Sequence, residues 1–152
     1  MNQGTLAKYP LAFTADQTRL LKVYLERLAK RVSASHVMLA DVSGRLALSF
    51  GSLQAHHSIE LAAIASGSFA AGIEIYKVLG VSNEQQVSQL LYEGKPVNIL
   101  TTQIDGELLL IIAFEENSKI ASAQILAEQV CVEISKIVQT ALLNRHKGPG
   151  PN

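Results

Sequence analysis

One pair of side chains in this sequence has the spacing of a metal site. His56 and Glu60 lie four residues apart, and on a helix this spacing places both side chains on one face. An imidazole and a carboxylate so placed could ligate a metal ion or act as an acid/base pair. Two ligands without a third are weak evidence, and we expect His57 to point elsewhere. The pair is therefore interpreted as a solvated helix start, and no metal ion is predicted.

The sequence lacks the loop with which many proteins bind nucleotides. That loop needs Gly, four residues and then Gly-Lys followed by Ser or Thr, because backbone amides wrap the phosphate and the hydroxyl reaches magnesium. The only Gly-Lys is Gly94-Lys95, with Gln89 in place of the first glycine and Pro96 in place of the hydroxyl residue. The chain alone is therefore not expected to bind or hydrolyse GTP or ATP.

The other reactive side chains are explained by local structure. Asp41 and Asp105 each fit a turn, and Ser43 lacks the Gly-x-Ser-x-Gly elbow that exposes a nucleophile. Cys131, the only cysteine, lies in a helical apolar pattern and is interpreted as a buried, inert thiol. We predict no catalytic residue and no cofactor, so the chain is not expected to be an enzyme.

Composition narrows the class of protein. The chain has 152 residues, 48% of them hydrophobic, and its thirteen Lys and Arg balance its thirteen Asp and Glu. This balance gives no general attraction to nucleic acid or anionic lipid. The longest uninterrupted apolar run, Leu108–Phe114, is far shorter than the ~20 residues that span a bilayer, and the N-terminus lacks a secretory signal pattern. We expect a cytoplasmic protein without a membrane span.

Apolar periodicity and turn sequences predict three helices and five strands in the order αββαβββα. The predicted helices are 16–32, 58–79 and 118–143, and the predicted strands are 36–40, 45–50, 86–92, 97–103 and 107–112 or 107–114. This is an α/β fold of the α+β type, with one five-stranded antiparallel sheet and helices on both faces. The last strand is apolar on both sides and should be central. The domain is predicted to span 14–143, between an N-terminal extension (1–13) and a flexible C-terminal tail (144–152).

The middle helix, residues 58–79, is too apolar for an ordinary surface helix. It has only three charges in 22 residues, and apolar side chains cover about half of its circumference. Small residues fill much of the rest, and Gly67 and Gly72 are interpreted as positions where another backbone packs closely. One face of a sheet cannot cover so much apolar surface, so this helix needs a second partner.

A second copy of the chain is the expected partner. The first and last helices are conventionally amphipathic and can cover one face of the sheet, which leaves the middle helix alone on the other. The segment Gln85–Gln89, at the start of the strand that follows it, is polar and contains neither the Pro nor the Lys that usually protects an edge. We therefore predict a twofold homodimer in which helix packs on helix and edge strand on edge strand. The predicted interface residues are Leu61, Ile64, Phe69, Ala71, Ile75, Gln86 and Ser88.

Several segments together resemble a known family. These are Val37–Leu46 with its Asp-Val-Ser-Gly turn, Gly51 after the second strand, and the run Leu61–Ala71 leading to Leu79-Gly80. They are similar to the roadblock/dynein-light-chain superfamily, and most of all to its bacterial branch of MglB-like regulators of gliding-motility GTPases. The resemblance implies a roadblock-like (profilin-like) sandwich and a homodimer joined through the middle helix and the third strand. It also implies that the helical face of the dimer binds a small Ras-like GTPase.

The partner-binding surface is expected on the part of the middle helix that dimerisation leaves exposed. It comprises Glu60, Ala63, Gly67, Ala70, Glu74 and Lys77. The helix contains no arginine, so a GTPase-activating role should work by holding switch loops, with Arg45 the least implausible arginine finger. Two alternatives stay open, a noncatalytic adaptor subunit of a larger assembly and a small-ligand sensor, which would need a pocket with convergent polar groups.

Overall fold

The computed structural model describes residues 12–81, 87–116 and 119–147. Within these ranges the chain forms three helices and five strands in the predicted order αββαβββα. They are α1 (Ala15–Val32), β1 (Ala34–Asp41), β2 (Leu46–Gly51), α2 (Ala55–Val78), β3 (Gln89–Tyr92), β4 (Val97–Ile104), β5 (Leu108–Glu115) and α3 (Ile120–Lys147). The predicted α+β architecture is confirmed.

The five strands form one antiparallel sheet with the order β2-β1-β5-β4-β3. As predicted, β5 is central, because it pairs with β1 on one side and with β4 on the other. Of the strands described, β2 and β3 are the two at the edges. The predicted position of β3 at an edge is therefore confirmed.

The sheet has a separate apolar core on each face, because successive side chains of a strand point to opposite sides. In β5, Leu108, Leu110 and Ile112 contribute to the core formed with α1 and α3. Leu109 and Ile111 contribute to the smaller core formed with α2. The predicted division is confirmed: α1 and α3 share one face, and α2 lies alone on the other.

Three predicted boundaries are corrected by the structure. Helix α2 begins at Ala55, with Gln54 at its N-cap position, so Ser58 lies inside the helix, where its hydroxyl contacts the buried His36. Strand β3 begins at Gln89, and Gln86 lies outside the described residues. Helix α3 continues past Leu143 to Lys147, since no helix-breaking residue occurs before Gly148. The predicted tail 144–152 is therefore helical at its start.

Candidate interaction surface

Two serine side chains fix the rotation of α2 on the sheet. The Ser66 hydroxyl donates a 2.7 Å hydrogen bond to the backbone oxygen of Val42, and Ser58 Oγ lies 3.0 Å from Nε2 of His36. Both serines are buried and face the sheet with Phe69. These contacts determine which arc of an almost uniformly apolar helix is buried, and therefore which arc faces outward.

The β1–β2 hairpin lies close under α2 because its turn contains Gly44. This residue has φ +99°, and a Cβ at this position would be 3.2 Å from the Cα of Ala63. A side chain here would therefore be strained and would push the helix away. The small residues Gly44 and Ala63 thus allow backbone to approach backbone, as the sequence indicated for this helix in general.

The outward arc of α2 is apolar and exposed. Ile64 is 68% exposed, Ile75 60%, Val78 85% and Leu79 70%, and Ala71 lies exposed among them. We call these five residues the outer apolar stripe. Single exposed apolar residues are common, but a contiguous row of them along one helix is a candidate interaction site.

The predicted interface residues fall into three groups. Ile64, Ala71 and Ile75 belong to the outer apolar stripe, and Ser88 is exposed just before β3. Leu61 is half-buried against the α2 core. Phe69 is a correction, because it is only 3% exposed and packs in that core, where it cannot contact another protein. The prediction for Gln86 lies outside the described residues.

The six predicted partner-binding residues are all exposed on one stretch of α2: Glu60, Ala63, Gly67, Ala70, Glu74 and Lys77. Within this stretch Lys77 and Glu74 form an ion pair at 3.0 Å. A Cβ added at Gly67 or at Gly72 would meet no atom within 4 Å. Packing among the described residues therefore does not account for either glycine, and in that part of the structure the surface is open to another backbone.

A hydrogen bond connects α2 to the edge of the sheet. The hydroxyls of Ser68 and Tyr92 are hydrogen-bonded to each other, and Tyr92 is the last residue of β3. Beyond the other end of the strand, the backbone oxygen of Ser88 accepts a 3.1 Å hydrogen bond from the amide of Gln103. The apolar helix and the edge strand therefore lie on the same side of the molecule, as predicted.

The β1–β2 turn is organised by one carboxylate. Asp41 Oδ1 accepts hydrogen bonds from the amides of Ser43 and Arg45 and from the Ser43 hydroxyl, and Asp41 Oδ2 pairs with Nε of Arg45 at 3.1 Å. Burial alone would raise the pKa of Asp41, but these hydrogen bonds and the Arg45 charge outweigh it and hold the pKa below its usual value. The prediction that Asp41 is a turn residue is confirmed, and Arg45 is held by it.

The second predicted turn aspartate is also confirmed. Asp105 has φ +53° between β4 and β5. Its carboxylate accepts hydrogen bonds from Ser135 and from Gln139. Asp105 therefore joins the turn to α3 on the face opposite α2.

His36 is a buried polar residue whose role the sequence did not indicate. Its Nδ1 has no hydrogen-bond partner in the described structure, and burial lowers its pKa. Gly51 lies opposite it on β2, and a side chain at Gly51 would collide with the imidazole ring. Ser58 provides the contact to Nε2. No spacing rule links residues 36 and 58, so only the tertiary structure could identify this pair.

The prediction that His57 points away from His56 and Glu60 is corrected by the structure of the first turns of α2. This side chain does not point away from the other two candidates: one ligand atom each from His56, His57 and Glu60 lie within 4.8 Å of one another. The two imidazole centroids are 4.0 Å apart. The structure thus places a third candidate metal ligand, His57, beside the pair that spacing had identified.

The opposite face of the molecule contains an open groove between α1 and α3, with a volume of about 410 Å³. Leu28 and Val130 line it with apolar side chains, and Arg27, Arg31 and Glu133 also line it.

Cys131 is buried in the core formed with α1 and α3. The pKa of its thiol is raised to about 12, chiefly by burial and further by the charges of Glu128 and Asp105. The predicted buried thiol is confirmed.

By length and composition, α2 could cross a membrane, and it is the one such helix among the residues described. The sequence argument missed it because polar residues interrupt every apolar run in this segment. Core helices of soluble proteins can have the same length and apolar composition. Phe69, Ser58 and Ser66 bind one side of α2 to the sheet, so the outer apolar stripe is the part that still needs cover.

Solved structures of other proteins share this fold. MglB of Myxococcus xanthus matches with a TM-score of 0.72 and 24% identity, over 80% of this chain and 96% of that one. An MglB with a tetrameric arrangement gives a TM-score of 0.76 and 17% identity, over 88% and 97%. The Roadblock/LC7 domain of Streptomyces avermitilis matches with a TM-score of 0.70 and 16% identity, over 76% of this chain and 95% of that one.

The comparisons by sequence have a different outcome. No family model and no curated protein matches this sequence. The likeness is therefore one of three-dimensional structure, and it agrees with the resemblance of the hairpin and middle-helix segments. This chain has the roadblock-like fold of the MglB proteins.

Proposed function

We propose that this chain is a cytoplasmic homodimer that binds a small Ras-like GTPase and regulates its nucleotide state or holds it in place. The observation that carries the proposal is the composition of α2. One arc of the helix is buried on the sheet, a second is the outer apolar stripe, and a third is a smooth stripe of small residues and few charges. Two separate exposed surfaces on one helix suit two separate partners.

A second copy of the chain is the occupant that we assign to the outer apolar stripe. Removing an isoleucine or valine side chain from water is worth about 1.5–3 kcal/mol, and Ile64, Ile75 and Val78 recur at helical spacing along the stripe. A twofold axis would pack each stripe on its copy. The tetrameric arrangement of one MglB structure supports the idea that this fold assembles with itself.

The edge strand β3 extends the proposed dimer contact. Its hydrogen bonds within the sheet are to β4, so its other edge can pair with a second copy. The bond between Ser68 and Tyr92 holds this edge beside α2. Helix and strand therefore offer one continuous surface for the partner.

The GTPase is assigned to the stretch that dimerisation leaves exposed, from Glu60 to Lys77. The twofold axis would duplicate this stretch and place two small-residue surfaces side by side. Ala63, Gly67 and Ala70 have little bulk, so a flexible loop of a partner can lie close to the helix. The switch loops of Ras-like GTPases change order with the bound nucleotide, and a surface that binds one state preferentially shifts the balance between the two.

The proposed regulation does not use an arginine finger. Helix α2 contains no arginine, and Arg45, in the neighbouring hairpin, pairs with Asp41. Its ion pair and backbone bonds hold it in the turn. Stimulation of hydrolysis would therefore come from ordering the catalytic groups of the GTPase itself.

Nucleotide-dependent capture of Ras-like GTPases from native cytosol tests the proposal. The cytosolic GTPases are loaded with GDP or with a non-hydrolysable GTP analogue and passed over immobilised protein. We expect retention of a Ras-like GTPase in one nucleotide state, and loss of retention with Ala70→Arg. The matched control is Ala15→Arg, since Ala15 is exposed at the start of α1.

One result would contradict the regulatory role, and a second would contradict the assigned binding surface. Equal retention in both nucleotide states would reduce the protein to an adaptor, because a ligand that binds two states equally cannot shift them. Retention that survives Ala70→Arg, with the dimer intact, would place the binding surface elsewhere.

A further inference from the structure

Three side chains of types that can bind metal ions meet at the first turns of α2. His56 and Glu60 are four residues apart, and His57 and Glu60 are three apart, so both imidazoles neighbour the carboxylate on the helix surface. His56 and His57 are adjacent, and their rings lie 4.0 Å apart at 44°. One ligand atom from each of the three residues lies within 4.8 Å of the other two.

From this geometry we propose that His56, His57 and Glu60 bind a divalent transition-metal ion, with Zn²⁺ as the first candidate. Two imidazoles and one carboxylate are a recurrent ligand set for Zn²⁺, whereas Mg²⁺ and Ca²⁺ prefer oxygen ligands throughout. Among the residues described, this is the one group of three His, Cys, Asp or Glu side chains so arranged.

A small movement of the side chains is enough to complete the site. Ligand atoms bound to one tetrahedral Zn²⁺ at about 2.0–2.1 Å lie about 3.3 Å apart. The three side chains are exposed, so rotation about their single bonds can close the remaining distance without moving the core.

Three protein ligands leave the fourth position of a tetrahedral ion open. Water or a donor group from another molecule would occupy it. The site is thus an exposed binding site of modest affinity, and its formation does not depend on the dimer or on a GTPase.

Titration of protein without an affinity tag tests the proposal. Zn²⁺ affinity is measured by competition with a chromophoric chelator, and Co²⁺ absorption reports the coordination geometry. We expect one ion per chain. Removing even an indirect partner of a metal ligand often lowers affinity by about 10–100-fold, so His56→Ala, His57→Ala and Glu60→Gln should each lower it by at least about tenfold.

His146→Ala is the matched control, because it removes a histidine from α3, the helix on the opposite face of the sheet from α2. It should leave Zn²⁺ affinity unchanged, and circular dichroism should show equal helix content in all variants. The proposal is overturned if the wild-type protein shows no saturable binding or if His146→Ala abolishes it. It is also overturned if His57→Ala binds as tightly as the wild type, since two ligands would then suffice.

Discussion

Ser58 Oγ lies 3.0 Å from Nε2 of His36, and this contact joins the start of α2 to β1. Both side chains are buried almost completely, and Nδ1 of the histidine has no partner in the described structure. A protonated imidazole would therefore place a charge in an apolar layer. The neutral form is favoured, which agrees with the lowered pKa of His36.

The first prediction concerns pH. Because the pKa of His36 is lower in the folded state than the usual 6.5, the unfolded chain binds more protons below about pH 6.5. The free energy of unfolding should be fully retained above that pH and should decrease as the pH falls below it. Urea unfolding at pH 7.5, 6.5 and 5.5 measures this, and His36→Gln should flatten the decrease. An equally steep decrease in the His36→Gln variant would show that other titratable groups cause the pH dependence.

The second prediction separates assembly from folding. If the proposed dimer forms through the outer apolar stripe, Ile75→Arg should convert it to a monomer of 16.4 kDa that still unfolds cooperatively, because Ile75 is exposed. Phe69→Ala should instead destabilise the fold by about 3–5 kcal/mol, since it leaves a cavity in the α2 core. Sedimentation and urea unfolding distinguish the two effects. An Ile75→Arg variant that remains dimeric would place the interface elsewhere.

The third prediction concerns the hairpin arginine. Arg45→Ala should leave any stimulation of GTP hydrolysis intact, because Arg45 is held by Asp41. Its cost to stability should be about 1 kcal/mol or less, since the pair is partly exposed to solvent. Single-turnover hydrolysis by the captured GTPase measures the first effect. A loss of several orders of magnitude would instead identify Arg45 as an arginine finger.

The fourth prediction concerns Cys131. Its pKa is raised to about 12, so almost no reactive thiolate is present at pH 8. The native protein should therefore react very slowly with a thiol reagent, whereas urea-unfolded protein should react fully with one equivalent. Rapid reaction of the native protein would show that the segment of α3 around Cys131 opens readily.

The sequence predicted the element order, the central strand β5 and the distribution of helices over the two faces, because these follow from periodicity and turn chemistry. It did not predict which arc of α2 is buried. A helix with few charges has no polar side to orient it, and Phe69 was therefore assigned to the wrong surface. Contacts from Ser58 and Ser66 to other parts of the chain decide that rotation.

The candidate metal ligands illustrate a second limit. Spacing relates Glu60 to His56, but the convergence of His57 depends on side-chain rotamers, which spacing alone does not specify. The start of α2 was also placed at Ser58, three residues after its observed start at Ala55. In the structure that serine is used for a distant histidine, and the helix begins earlier.

The pairing of β1 with β5 has a consequence for synthesis of the chain. Ser35 and Ala113 are in contact although they are 78 residues apart, so the centre of the sheet cannot form until most of the chain has left the ribosome. During that interval α2 can pack on the β1–β2 hairpin, but it lacks the cover that Leu109 and Ile111 of β5 provide. Contacts between distant residues slow folding, and exposed apolar surface promotes aggregation. Nascent chains of this protein should therefore depend on chaperones until β5 emerges.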